Sequence, residues 1–207
     1  MTEPLLDHLV YAAPDVDVLV DSFRERTGVD PPLGGRHVGR NTRNYLVGLG
    51  GSAYLELIGP DDPAEKDGTT VFGISTLTAP RIVGWVVAPE DIEARAASAR
   101  ARGYDPGEIG PLSRRTPDGV LLEWRLTKDA PDDRQGLVPR LIDWQQAAHP
   151  TTSGLPELAL VSLAGFHPEP DVVRRDLDAL GVELDVRPGD PGFAAVVETP
   201  NGQVTLT

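Results

Sequence analysis

One pattern, repeated at a fixed distance, constrains this chain more than any other feature. Ala13-Pro14 through Gly28-Val29-Asp30-Pro31 is matched by Ala88-Pro89 through Gly103-Tyr104-Asp105-Pro106, at an offset of 75 residues. A short apolar run with β-branched and aromatic residues leads into each Ala-Pro, LDHLVYAA at 6–13 and IVGWVVAP at 82–89, and each reads as a strand. Val16, Leu19, Val20 and Phe23 then fall at i, i+3, i+4 and i+7, one face of a helix. Ile92, Ala96 and Ala99 mark the equivalent face in the second copy. Asp15 is placed to cap the first helix, because its carboxylate can accept the free amides of the first turn. Gly28 is placed to end it in the left-handed conformation. Two stretches sharing both punctuation marks at one spacing form an internal repeat. A third copy runs from ELALVSLAG at 157–165 through Val173, Leu177 and Leu180 to Gly181. Helices are therefore expected over 15–27, 90–102 and 170–180.

Strands follow each helix. In the first copy they are 42–50 and 53–60, joined at Gly50-Gly51, a hairpin signal, with a shorter one near 34–38. In the second they are 120–126, after Pro117-Asp118-Gly119, and 137–144; in the third, 193–199 and 203–207, across Pro200-Asn201-Gly202. Residues 61–80 and 127–138 read as loops, and 145–156 as a linker. The chain divides into a first βαβββ module at 1–60, a second at 81–146 and a third, βαβββ-like, at 156–207. This is an α+β class. A helix covers one face of each module's sheet, so two modules side by side form a curved mixed sheet whose open face is a cleft for a ligand. The third module is the odd copy, expected to cap the sheet or to form the interface of a homodimer.

The composition narrows the function. Asp and Glu number 32 against 19 Lys and Arg, a net charge of −13 that repels phosphate backbones and argues against nucleic acid. With no cysteine there is no disulfide, thiolate metal site or cysteine nucleophile. No apolar run is long enough to span a bilayer, and MTEPLLDHLV lacks the features of a signal peptide, so a cytoplasmic location and no membrane partner are expected. GGRHVG lacks the Gly-Lys-Ser/Thr of a phosphate loop, and neither a nucleophile elbow nor a dinucleotide fingerprint occurs.

Two residues stand out. By strand alternation His8 shares a face with Leu6, Val10 and Ala12, opposite Leu9 and Tyr11. Glu56 shares a face with Tyr54 and Ile58, while Leu55 and Leu57 suit the helix-covered side. A carboxylate within such an apolar run is costly to bury unless it is paired or bound to metal. An imidazole and a carboxylate on neighbouring strands suit a borderline divalent metal. The plainer alternative for Glu56 is an ion pair with Arg43 or Arg36, and for His8 a backbone-bonded structural role. His37 is either a third ligand or a solvated turn residue. Asn44 and Arg43 on one strand, and Trp85, are candidates for substrate contact; Trp85, Trp124 and Trp144 equally suit core or cleft wall.

LDHLVYAAPD, GGRHVGRNTRNYLVGLG, AYLELIGP and the later LIDW…HP resemble the glyoxalase-like family of the vicinal oxygen chelate (glyoxalase/bleomycin resistance/dioxygenase) superfamily. The resemblance implies paired βαβββ modules around a cleft where, in catalytic members, a divalent metal chelates two neighbouring substrate oxygens. It implies ligands from the first and last strands of each of two modules; His8 and Glu56 stand at those places in the first, His37 in the GGRH turn is the substitute for the imidazole of the second, and Mn, Fe, Ni and Zn all suit such donors. The equivalent positions in the later copies are Val83 and Val161. Asp143 and Glu123 are the acids available in the second module, and Asp143 joins Glu56 as a candidate for proton transfer. Lyase, isomerase and dioxygenase activities all occur on this plan, as does metal-free sequestration of an antibiotic or metabolite.

Overall fold

Asp15 begins the first helix as its position predicts. In the computed structural model, which describes residues 6–62, 64, 71–128 and 134–207, its carboxylate accepts the amides of Asp17 and Val18. Helix α1 (Val16–Thr27) ends at Gly28, whose φ of 74° lets its amide reach the Arg24 carbonyl at 2.8 Å. Replacing Asp15 by alanine should destabilise the chain by about 1 kcal/mol, read as a shift of the denaturant midpoint at constant slope.

Around α1 lie β1 (Leu6–Ala12), β2 (Leu33–His37), β3 (Thr42–Gly48) and β4 (Tyr54–Pro60). The second unit repeats the order with β5 (Arg81–Val87), α2 (Ile92–Ala101), β6 (Glu108–Arg115), β7 (Leu121–Lys128) and β8 (Arg140–Asp143). In each unit the first strand returns parallel to the last, β1 beside β4 and β5 beside β8. The units meet at two antiparallel seams, β1 with β5 and β2 with β6, so the sheet closes into a barrel ordered β1-β4-β3-β2-β6-β7-β8-β5. The expected cleft is therefore the interior of a barrel.

Strand alternation sorts residues between its two faces. Val10, Ala12, Ile58, Val86, Trp124, Leu126 and Ile142 pack inside, with Ile74 from a 3-10 turn at Val71–Thr76. Leu9, Tyr11, Val47, Leu55 and Leu57 face outward and pack under α1 and α2. Leu6 departs from the expected face. A bulge between Leu6 and His8 turns it to the outer core and brings Asp7 round to the His8 side.

The third unit makes its own sheet, ordered β10-β9-β11-β12, from β9 (Ala159–His167), α3 (Pro170–Leu180), β10 (Asp185–Pro188), β11 (Gly192–Thr199) and β12 (Gly202–Leu206). Phe193, Ala195, Val197 and Leu206 join the outer core with Leu9 and Trp85, so this sheet covers the barrel wall beside the helices. Arg95 on α2 donates to the Leu180 and Gly181 carbonyls, and Arg26 on α1 to that of Thr205. The expected loops at 61–80 and 127–138 lie partly outside the described residues. The linker at 145–156 contains a 3-10 turn, Pro150–Ser153.

Candidate functional site

Glu56 lies midway along β4 and points into the barrel, with only 6 % of its surface exposed. Neither arginine considered as its ion-pair partner is near: Arg43 pairs with Asp17 and Asp61, and Arg36 with Asp61. Its neighbours are instead three side chains on three strands. Asn44 donates from Nδ2 to Oε1 at 2.5 Å; His8 Nε2 stands 3.8 Å from Oε2, and His37 Nε2 3.8 Å from Oε1.

The far side of each ring is fixed. His8 Nδ1 meets Asp7 Oδ1 at 2.5 Å, and His37 Nδ1 meets Thr42 Oγ1 at 3.0 Å. Asp7 is buried and also accepts from Trp144 Nε1 at 2.9 Å and contacts His149 Nε2 at 3.1 Å. Burial alone would raise its pKa. The contacts from His149, His8 and Trp144 outweigh that and hold the carboxyl far below the usual range. An ionised Asp7 requires His8 Nδ1 to be the donor. With Thr42 accepting from its Nδ1, a neutral His37 turns its Nε2 lone pair toward Glu56, and the Nε2 of His8 faces the same carboxylate. Burial pushes the His37 pKa down against the pull of Glu56, which favours that neutral ring. Tyr54 stacks on His8 at 4.7 Å and holds its plane.

Two imidazoles and a carboxylate face one another here, and 3.8 Å is too long for a direct hydrogen bond. A divalent ion suits this donor set, and hydrogen bonds behind the ligands are what metal-binding histidines require. With bonds of about 2.1 Å, tetrahedral ligand atoms sit roughly 3.4 Å apart, whereas His8 and His37 each stand 3.8 Å from a different oxygen of Glu56, so the three side chains must draw together to share one ion. Among the described residues no group of three or more His, Cys, Asp and Glu side chains is placed to hold a metal ion as the chain stands.

A second-module residue completes the polar floor. Arg114 on β6, paired across the seam with His37, donates from Nη1 to Asn44 Oδ1 at 2.9 Å. Asn44 thus links Arg114 to Glu56, and its amide orientation is fixed from both ends. Gly34 makes room for the pair: a Cβ there would lie 2.2 Å from Arg114 Nη1 and 2.6 Å from Asn44 Oδ1. Gly34→Ala should therefore displace Arg114 and cost about 1–3 kcal/mol, measured by thermal unfolding. The walls are apolar, from Phe72, Leu112, Trp124, Leu126, Ile142 and Trp144, and the cavity between them opens in part to solvent.

Three candidates lie elsewhere. Arg43 alternates with Asn44 and so points outward to Asp17 and Asp61. Trp85 sits opposite Leu9 in the outer core, its Nε1 donating to the Leu137 carbonyl at 2.9 Å. Asp143 alternates with Ile142 and Trp144, which face the cavity, and pairs outside with Arg125, itself bonded to Glu93. Glu123 is exposed. Asp7 and Arg114 were not singled out in the sequence. The bulge conceals the first, and a strand broken by Gly110-Pro111 conceals the second.

A strand–helix–three-strand unit used twice, with polar side chains of both copies converging inside the closed sheet, defines a vicinal oxygen chelate protein. The chain belongs to the glyoxalase-like domain family, whose model matches residues 6–181. No curated protein matches it closely enough to count as a relative. Among solved structures, a hypothetical protein from Staphylococcus aureus is similar at 14 % identity, over 97 % of this chain and 83 % of that one, with a TM-score of 0.64. Methylmalonyl-CoA epimerase from Mycobacterium tuberculosis matches at 17 % identity over 74 % and 97 %, with a TM-score of 0.44. A mutant 4-hydroxymandelate synthase from Streptomyces coelicolor matches at 14 % identity over 97 % and 61 %, with a TM-score of 0.49. At these identities the likeness is one of fold. Among the described residues no helix is long and apolar enough to cross a membrane.

Proposed function

We propose that this chain is a divalent-metal-dependent glyoxalase-like enzyme, of lyase, isomerase or dioxygenase type, acting on a small oxygen-rich molecule inside the barrel. The supporting observation is the pair of tethered imidazoles whose free Nε2 atoms each stand 3.8 Å from an oxygen of buried Glu56. His8, His37 and Glu56 would hold the ion, with Mn²⁺, Fe²⁺, Ni²⁺ and Zn²⁺ all compatible with this donor set. When bound, such an ion polarises a substrate oxygen and stabilises charge developing on it. Asp7 and Thr42 keep the two rings oriented. Glu56 is the one carboxylate among the described residues lining the cavity, so it takes the proton-transfer role that outward-facing Asp143 cannot fill. The tryptophan and leucine walls limit the access of water to the reacting groups.

A second reading, metal-free sequestration of a small molecule, draws on the short Asn44–Glu56 hydrogen bond, which already satisfies one carboxylate oxygen. Metal analysis of protein purified without chelator separates the two. The enzyme reading predicts about one divalent ion per chain after incubation with the four metals. Retention of none of them, alongside tight uptake of an aromatic ligand, would favour sequestration.

A further inference from the structure

The chain is strongly acidic, and its exposed arginines readily find carboxylates: Arg24 with Asp30, Arg100 with Asp105, Arg187 with Asp185. Arg114 does not. It is only 3 % exposed, yet among the described residues no carboxylate lies within ion-pair distance of it. Its guanidinium carries five N–H donors, and the one side-chain hydrogen bond it makes is from Nη1 to Asn44 Oδ1. A buried cation with donors to spare is costly unless something else meets it. The surroundings are shaped to keep it there, since Gly34 omits the Cβ that would collide with Nη1. Asn44 braces the group from one side, and Arg114 lines the same cavity as His8, His37 and Glu56.

We propose that Arg114, braced by Asn44, is a carboxylate-binding subsite, and that the ligand of this cavity is a small organic acid with an apolar or aromatic body. The inference rests on reading the barrel interior as a ligand site, but not on a metal being held there. A planar guanidinium fork matches a planar carboxylate. A phosphate dianion fits less well, because Glu56 is one amide away and its negative charge opposes a second. Trp124, Trp144 and Phe72 offer aromatic surface to the remainder of the ligand. Arg40, half-buried in the same lining, assists entry of an anion without contributing to the buried fork.

The test uses the full chain stripped of metal by chelator and two probes of nearly identical shape, phenylacetate and phenylacetamide. Titration is followed by calorimetry and by tryptophan fluorescence. Phenylacetate is expected to bind about tenfold tighter or more, as a charge-assisted pair replaces a neutral contact. R114M should abolish the preference and R114K should keep part of it, while R24M, at an exposed arginine outside the cavity, should leave it intact. Equal binding of the two probes, or binding of neither, overturns the proposal; so does a preference that survives R114M or disappears in R24M. If R114M does not fold, the probe pair on the unmodified chain and the loss in R114K decide the matter. Inorganic phosphate displacing phenylacetate at equal concentration would reassign the subsite to phosphoryl groups. The probe titration is carried out without metal, so its outcome does not depend on metal uptake. Failure of metal binding with the carboxylate preference intact would therefore count against the enzyme reading alone.

Discussion

Asp7→Asn should lower the unfolding free energy by about 2–3 kcal/mol, a fall in Tm of roughly 5–10 °C for a chain of this size. The reason is that one buried carboxylate has three partners, His8 Nδ1, His149 Nε2 and Trp144 Nε1. An asparagine keeps one acceptor oxygen and turns the other position into a donor, so one imidazole contact is lost or reversed. The loss should also reach metal uptake, because His8 would no longer be held in its tautomer; removing such a supporting group typically costs about 10–100-fold in affinity. The pH dependence distinguishes this from a packing defect. The Asp7 pKa is depressed in the folded chain, so its contribution is fully present above the unfolded carboxyl value, about 3.9, and is lost as pH falls through the folded value. The stability gap between the parent chain and Asp7→Asn should therefore be constant near neutrality and narrow in strong acid. A gap unchanged down to the acid limit of folding would contradict the assignment.

Much of the architecture was legible because each unit carries local signals. The Pro-to-Gly punctuation marked α1, α2 and α3, and alternation along YLELIGP placed Glu56 and Tyr54 inside and Leu55 and Leu57 outside. What local signals do not carry is pairing between distant strands. β6, EIGPLSRR, shows no clean alternation and contains Gly110-Pro111, yet pairs with β7 along its whole length. Without β6 there is no second seam and no closed barrel, and Arg114 cannot be seen to face His37. The same limit explains Trp85, whereas Arg43, next to Asn44 on one strand, was assignable to the outer face from local alternation. Polar or aromatic character suggested ligand contact, but alternation from Asn44 and from the Leu9 pairing sends both outward. His8 and Glu56 could be placed on one face because side-chain alternation holds from His8 to Ala12 and along β4. Asp7 was missed because a bulge breaks the period-two rule at that residue.

The metal reading turns on Glu56, and Glu56→Gln is the substitution that isolates it. The change keeps the shape of the side chain and an oxygen to accept from Asn44 Nδ2, so the fold and the Arg114–Asn44 contact should persist. It removes the anionic ligand that faces both imidazoles. Loss of one of three ligands, and the only charged one, should remove measurable binding even though His8 and His37 stay in place. His8→Ala in the same background would add the loss of an imidazole, at the further cost of leaving a buried Asp7 oxygen without its donor. The most direct measurement is a calorimetric titration of the parent chain and of Glu56→Gln with Mn²⁺, Fe²⁺, Ni²⁺ and Zn²⁺ at neutral pH. The account predicts saturable binding of at least one of these ions at one site per parent chain, and no measurable heat from the variant at unchanged Tm. Equal binding by both chains would place the ligands elsewhere, and no heat from the parent chain with any of the four ions would contradict a metal held by His8, His37 and Glu56.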